Sequence, residues 1–136
     1  MHIVLAVSTE TGTSWVTDGA AAFARKTGAS VAVVSVDEVE LERLAAAPRT
    51  VYLEQAARAV GEAVERLEED GIEASATVLS GRAAERVADF ARDQAADVVV
   101  VGASSRPSLA SRLLGSVPRD LVQRSPCPVL VLPTPE

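Results

Sequence analysis

The run Val98-Val99-Val100-Val101-Gly102 constrains this chain more than any other stretch. Four β-branched residues in succession leave no polar face, so the segment reads as a parallel strand buried on both sides. Such a strand needs helices above and below it, which implies an α/β layer arrangement. Gly102 ends the strand, a polar stretch follows, and Gly115-Ser116 opens a helix reaching about Gln123. A glycine at a strand's carboxyl end, followed by a helix amino terminus, is how α/β proteins build anion sites. The backbone approaches closely there, and free helix N–H groups point at a phosphate. Pro128 to Leu132 (PVLVL) is then the last apolar strand.

The earlier chain supplies the partners for this unit. His2 to Val7 is a continuous apolar strand, and Ser8 to Ser14 is its polar carboxyl-end loop, containing Gly12. Thr13 or Ser14 is placed to cap a helix carrying Val16, Gly19, Ala20, Phe23 and Thr27 at helical spacing, with Gly28 as its stop. Ser30 to Val36 is the second strand. Residues 37–50 read either as a short helix interrupted by Pro48 or as an insertion. From Val51 a stripe of Leu53, Ala56, Ala57, Val60, Val64 and Leu67 marks a long amphipathic helix closed by Gly71. Ile72 to Leu79 alternates as an edge strand does, and Ala84, Val87, Ala88, Ala91 and Ala95 form the next helical stripe. The order β-α-β-α-β-α-β-α-β predicts a parallel sheet with helices on both faces.

Composition narrows the function classes. At 136 residues the chain is expected to form one domain with a true core, its 48% hydrophobic content carried by Ala, Val and Leu. A net charge of −6 argues against a nucleic-acid surface or an anionic membrane partner, without excluding a local phosphate site. The single cysteine, Cys127, forms no internal disulfide and fits a reducing compartment. The opening MHIVLAV carries no basic or cleavage-site features and is too short to span a membrane, so a cytoplasmic location is expected.

The spacing Gly102-x2-Ser105-x9-Gly115-Ser116 resembles the G-x2-G-x9-G-[S/T] nucleotide motif of the universal stress protein family. The flanking SRLLGSV and the terminal SPCPVLVLP are similar to that family's wording, and the resemblance runs through residues 1–136 as a single domain. It implies a five-stranded parallel sheet of order 3-2-1-4-5, adenine nucleotide alpha hydrolase-like, with Ser8 and Gly102 facing one crevice. It implies an adenine nucleotide (ATP or AMP) as ligand. The backbone N–H groups of Gly115, Ser116 and Val117 and the Ser116 hydroxyl would hold the phosphates. It further implies a main-chain contact to adenine near Val36, and a twofold homodimer through strand 128–132, which would cover a hydrophobic edge. Two positions depart from the pattern. Ser105 replaces a motif glycine, and Ser8 stands where nucleotide-binding members usually carry an Asp supporting the nucleoside. The site is therefore degenerate, and a nucleotide-free dimeric interaction module is the alternative.

Other constellations offer less. Thr9-Glu10-Thr11-Gly12-Thr13-Ser14 resembles the T-x-T-G-x-T loop that holds FMN phosphate in flavodoxins. The four aromatic residues, Trp15, Phe23, Tyr52 and Phe90, fall within or beside predicted helices, so no flavin is expected. A receiver domain would need acidic residues at Ser8-Thr9, an Asp at Leu79-Ser80 and a Lys at Leu132-Pro133, and none is present. Arg106, Arg112, Arg119 and Arg124 read as a solvated face. His2 is expected far from the crevice, and Cys127 reads as a small packed residue. No nucleophilic triad and no metal-ligand spacing can be assembled, Mg is left open, and any ATP hydrolysis would be slow.

Overall fold

The valine run forms strand β4 (Val98–Gly102), and all four valines are buried. They can be buried on both sides because β4 sits inside the sheet, between β1 (His2–Ala6) and β5 (Val129–Leu132). With β2 (Ser30–Asp37) and β3 (Ala74–Ser80), the computed structural model is a five-stranded all-parallel sheet of order β3-β2-β1-β4-β5. It describes residues 1–10, 12–38, 48–103 and 116–135. The predicted order 3-2-1-4-5 is the one observed. The disputed segment 37–50 lies largely outside the described residues.

Alternation along the central strands divides the core in two. Ile3, Leu5, Val31, Val33, Val98 and Val100 face α1 (Ser14–Thr27) and α2 (Arg49–Glu69). Val4, Ala32, Val34, Val99 and Val101 face α3 (Ala83–Asp93) and α4 (Ser116–Arg124). The register keeps these rows aligned, Val4 lying between Ala32 and Val99. Each fully buried valine or leucine contributes about 1.5–3 kcal/mol of transfer free energy. On the first face, α1 and α2 are further joined by exposed ion pairs. Arg66 grips both Asp18 carboxylate oxygens at 2.7 and 2.8 Å, and Arg25 meets Asp70 at 2.8 Å. The Asp18 hydrogen bond and charge raise the Arg66 pKa above its ordinary value.

Several expected positions differ. In α2 the buried residues are Ala56, Val60, Ala63 and Leu67, while Ala57 is exposed. An alanine-rich helix gives little contrast between adjacent faces, and the buried row passes through Ala63 rather than Ala57. Ala95 is also exposed. It follows the helix end at φ 51, outside the helical periodicity. Thr27 is exposed in the last turn of α1, its hydroxyl donating to the Phe23 carbonyl at 3.0 Å. Gly28 does end α1, at φ 67, donating its N–H to the Ala24 carbonyl. Strand β3 starts at Ala74 rather than Ile72, because Ile72 is still tied to the end of α2 through the Leu67 carbonyl. As expected of an edge, β3 is only partly buried.

Candidate functional site

β1 leads to a helix on one face of the sheet and its neighbour β4 leads to a helix on the other. Loops leaving the two carboxyl ends in opposite directions open a crevice between them. A cavity of about 240 Å3 lies there. Its floor is the strand ends, Ala6 to Ser8 of the first strand and its loop, Val34 to Val36 of β2, and Val101 to Ala103. Trp15 and Val16 from the first turn of α1 line it, as do Ala83 and Val87 of α3 and Val117 and Pro118 of α4. Glu10, Thr13 and Glu38 add polar groups.

Four of the seven residues singled out from the sequence, Ser8, Val36, Gly102 and Val117, line this one cavity. Ser116 is the first residue of α4. Ser105 and Gly115 lie outside the described residues. The amino end of α4 thus borders the crevice, where its first N–H groups have no intrahelical acceptor.

Two of these residues already have local roles. The Ser8 hydroxyl accepts the Glu10 N–H at 3.1 Å, which tightens the turn after β1 and leaves its own O–H to donate elsewhere. Gly102 is a matter of packing. A Cβ there would lie 2.5 Å from Val16 Cγ2 and 3.1 Å from Trp15 Cη2. The space that glycine leaves is therefore filled by α1 on that side. Gly19 repeats the device, since its Cβ would meet Leu132 Cδ1 at 2.7 Å and bring α1 against the end of β5. The expected helix cap is also different. Thr13 occupies the N-cap position, but its hydroxyl donates to the Glu10 carbonyl at 2.9 Å instead of serving the helix.

Sequence reasoning did not single out Trp15 as a crevice residue, placing it only within or beside a helix. The available signal was its place: the first turn of a helix entered directly from the carboxyl-end loop of β1 points back at that loop. His2 is at the opposite pole, as expected. Its Nδ1 lies 2.7 Å from the Ser30 hydroxyl and its Nε2 3.0 Å from Gln94 Oε1. Cys127 is half-buried against the α3/α4 core cluster, next to the Ser125 hydroxyl. Among the described residues, no group of three His, Cys, Asp or Glu side chains is arranged to hold a metal. No described helix is long and apolar enough to cross a membrane.

Comparison with known proteins agrees with this architecture. Residues 1–133 match the Universal stress protein family. A universal stress protein of Methanocaldococcus jannaschii is 35% identical over 69 residues, covering 51% of this chain and 41% of that protein. One of Bacillus subtilis is 31% identical over 70 residues, covering 52% of this chain and 47% of that protein. These matches thus span less than half the length of either relative. Among solved structures, the universal stress protein from Archaeoglobus fulgidus in complex with dAMP superposes with a TM-score of 0.73 at 24% identity, over 96% of each chain.

Proposed function

The chain belongs to the universal stress protein family, and from that membership we propose that it binds an adenine nucleotide in the crevice between β1 and β4, acting through binding rather than turnover. The observation that carries this reading is convergence. Ser8, Val36, Gly102 and Val117 come from four separate stretches of chain, yet line one cavity. The A. fulgidus neighbour, complexed with dAMP, supports the choice of ligand class. In this reading the apolar strand ends around Val36 take the base, and the remaining Ser8 O–H donates to the sugar. The amino end of α4, from Ser116 and Val117, takes the phosphates, and the family motif assigns Ser105 and Gly115 the same role. No side chain of the motif is suited to act as general base, so hydrolysis, if any, is slow.

The test is to purify the protein without added ligand, denature it, and analyse the released supernatant by chromatography and absorbance, followed by titration of the folded protein with AMP and ATP. Released adenine nucleotide, or a saturable titration, is expected. An empty supernatant with a flat titration refutes the reading, and released flavin would replace it with an FMN carrier.

A second reading rests on Ser8 and Gly102, whose turn and packing roles would persist in a chain that had lost its ligand. Such a chain would work as a nucleotide-free dimeric interaction module in stress response. In both readings we place the protein in the cytoplasm as a single domain and pair strand 128–132 with its copy in a second subunit. β5 is an edge strand with Val131 38% exposed, and a twofold partner would cover it.

A further inference from the structure

Trp15 does two things at once. The far edge of its ring (Cη2 and Cζ2) lies 3.1 and 3.6 Å from where a Gly102 Cβ would be, so that edge seals the end of β4. The side chain is nevertheless only half-buried, and it lines the crevice. The indole carries one N–H donor and no acceptor. The ring thus packs against the end of β4 along one edge while lining the crevice, at the point where β1 and β4 part.

We propose that Trp15 is a ligand-contacting residue of this crevice: its ring packs on the sugar of the bound nucleotide and its indole N–H donates to a sugar or phosphate oxygen. This rests on the adenine-nucleotide reading above. It assigns to an aromatic side chain the wall that a close-approaching Gly102 backbone was expected to provide, since Val16 and Trp15 occupy the space beside that glycine. An aromatic ring with only two side-chain torsions loses little conformational entropy on binding. The indole donor adds direction, because an indole N–H can serve only an acceptor.

The chain has a single tryptophan, so its intrinsic emission reports on this residue alone. Equilibrium dialysis with AMP is run on the wild type, Trp15→Phe and Trp15→Leu, beside emission titration of the wild type. Wild-type emission should shift or quench with a midpoint equal to the dialysis constant. Trp15→Phe, which keeps a ring and loses the donor, should weaken AMP about 3- to 10-fold, and Trp15→Leu about 10- to 50-fold. Circular dichroism and urea unfolding identify a variant that fails to fold. Trp15→Phe then carries the comparison, because it keeps an aromatic ring at this position and removes less volume than Trp15→Leu. AMP binding by dialysis with unmoved emission, or unchanged affinity in a folded Trp15→Phe, overturns this proposal and leaves the nucleotide reading standing. No AMP binding to the wild type overturns both.

Discussion

Replacing Gly102 with alanine adds one methyl group to the end of β4, and the structure says what that methyl would strike. It would stand 2.5 Å from Val16 Cγ2 and 3.1 Å from Trp15 Cη2. Carbon atoms rest comfortably at about 3.5–4.0 Å, so Val16 would have to retreat by about 1 Å. It cannot do so by rotating, because a β-branched side chain in a helix has essentially one rotamer. The retreat must move α1, which is held by its buried residues Val16, Ala20, Ala21 and Ala24 against the sheet and by Asp18 and Arg25 to α2. Overpacking of this kind costs about 1–3 kcal/mol. For a domain of this size each kcal/mol lowers the thermal midpoint by roughly 3–5 °C. The assay is urea unfolding followed by circular dichroism and Trp15 emission, on Gly102→Ala, Val16→Ala and the double variant. Val16→Ala opens space beside Gly102, so the double variant should be more stable than the sum of the single losses predicts, by about 1 kcal/mol. A Gly102→Ala protein within about 0.5 kcal/mol of the wild type, or strict additivity in the cycle, would falsify the packing account of this glycine.

Gly61 offers the opposite expectation. It lies in the middle of α2, and a Cβ there would meet nothing within 4 Å. Gly61→Ala should stabilise by about 0.5–1 kcal/mol through helix propensity, and any loss in the same urea experiment would contradict this. On the edge strand, Val131→Lys places a charge in the row where the second subunit is proposed to pair. Sedimentation velocity should then find a monomer with native circular dichroism, and an unaltered dimer would rule out pairing through β5.

The sheet was legible because its signal is strong. The apolar runs at Ile3–Leu5, Val31–Val34 and Val98–Val101 have no alternative burial, and the helices between them follow a 3.6-residue period. Where contrast was low, reading failed. Ala57 and Ala63 are chemically identical, and only the packing of α2 on β2 and β3 decides which is buried. The crevice was legible as a place, since the strand order implied by the resemblance sets the ends of β1 and β4 side by side. It was less legible as a set of roles. Gly102 and Ser8 carried the expected positions, but what surrounds Gly102 depends on how far α1 tilts over β4, and the Ser8 bond depends on the turn to Glu10. Trp15 was missed for a related reason: helical spacing tells which residues share a face, but not which end of a ring remains open once that face is packed.

The amino-terminal pole of the sheet has a mechanical consequence. His2 exchanges two bonds with Asp97, giving its N–H to the carboxylate at 2.7 Å and accepting the Asp97 N–H at 2.8 Å, while its ring reaches Ser30 and Gln94. One residue thereby clips together the starts of β1, β2 and β4, like the rivet at the base of a folding fan. The strands can spread only at their far tips, where the crevice lies. A guest arriving there would be accommodated by a slight splaying of the tips about a fixed base. Amide exchange should then respond to a bound molecule at Val7, Val36 and Ala103 while the protection of Val31 and Asp97 stays unchanged.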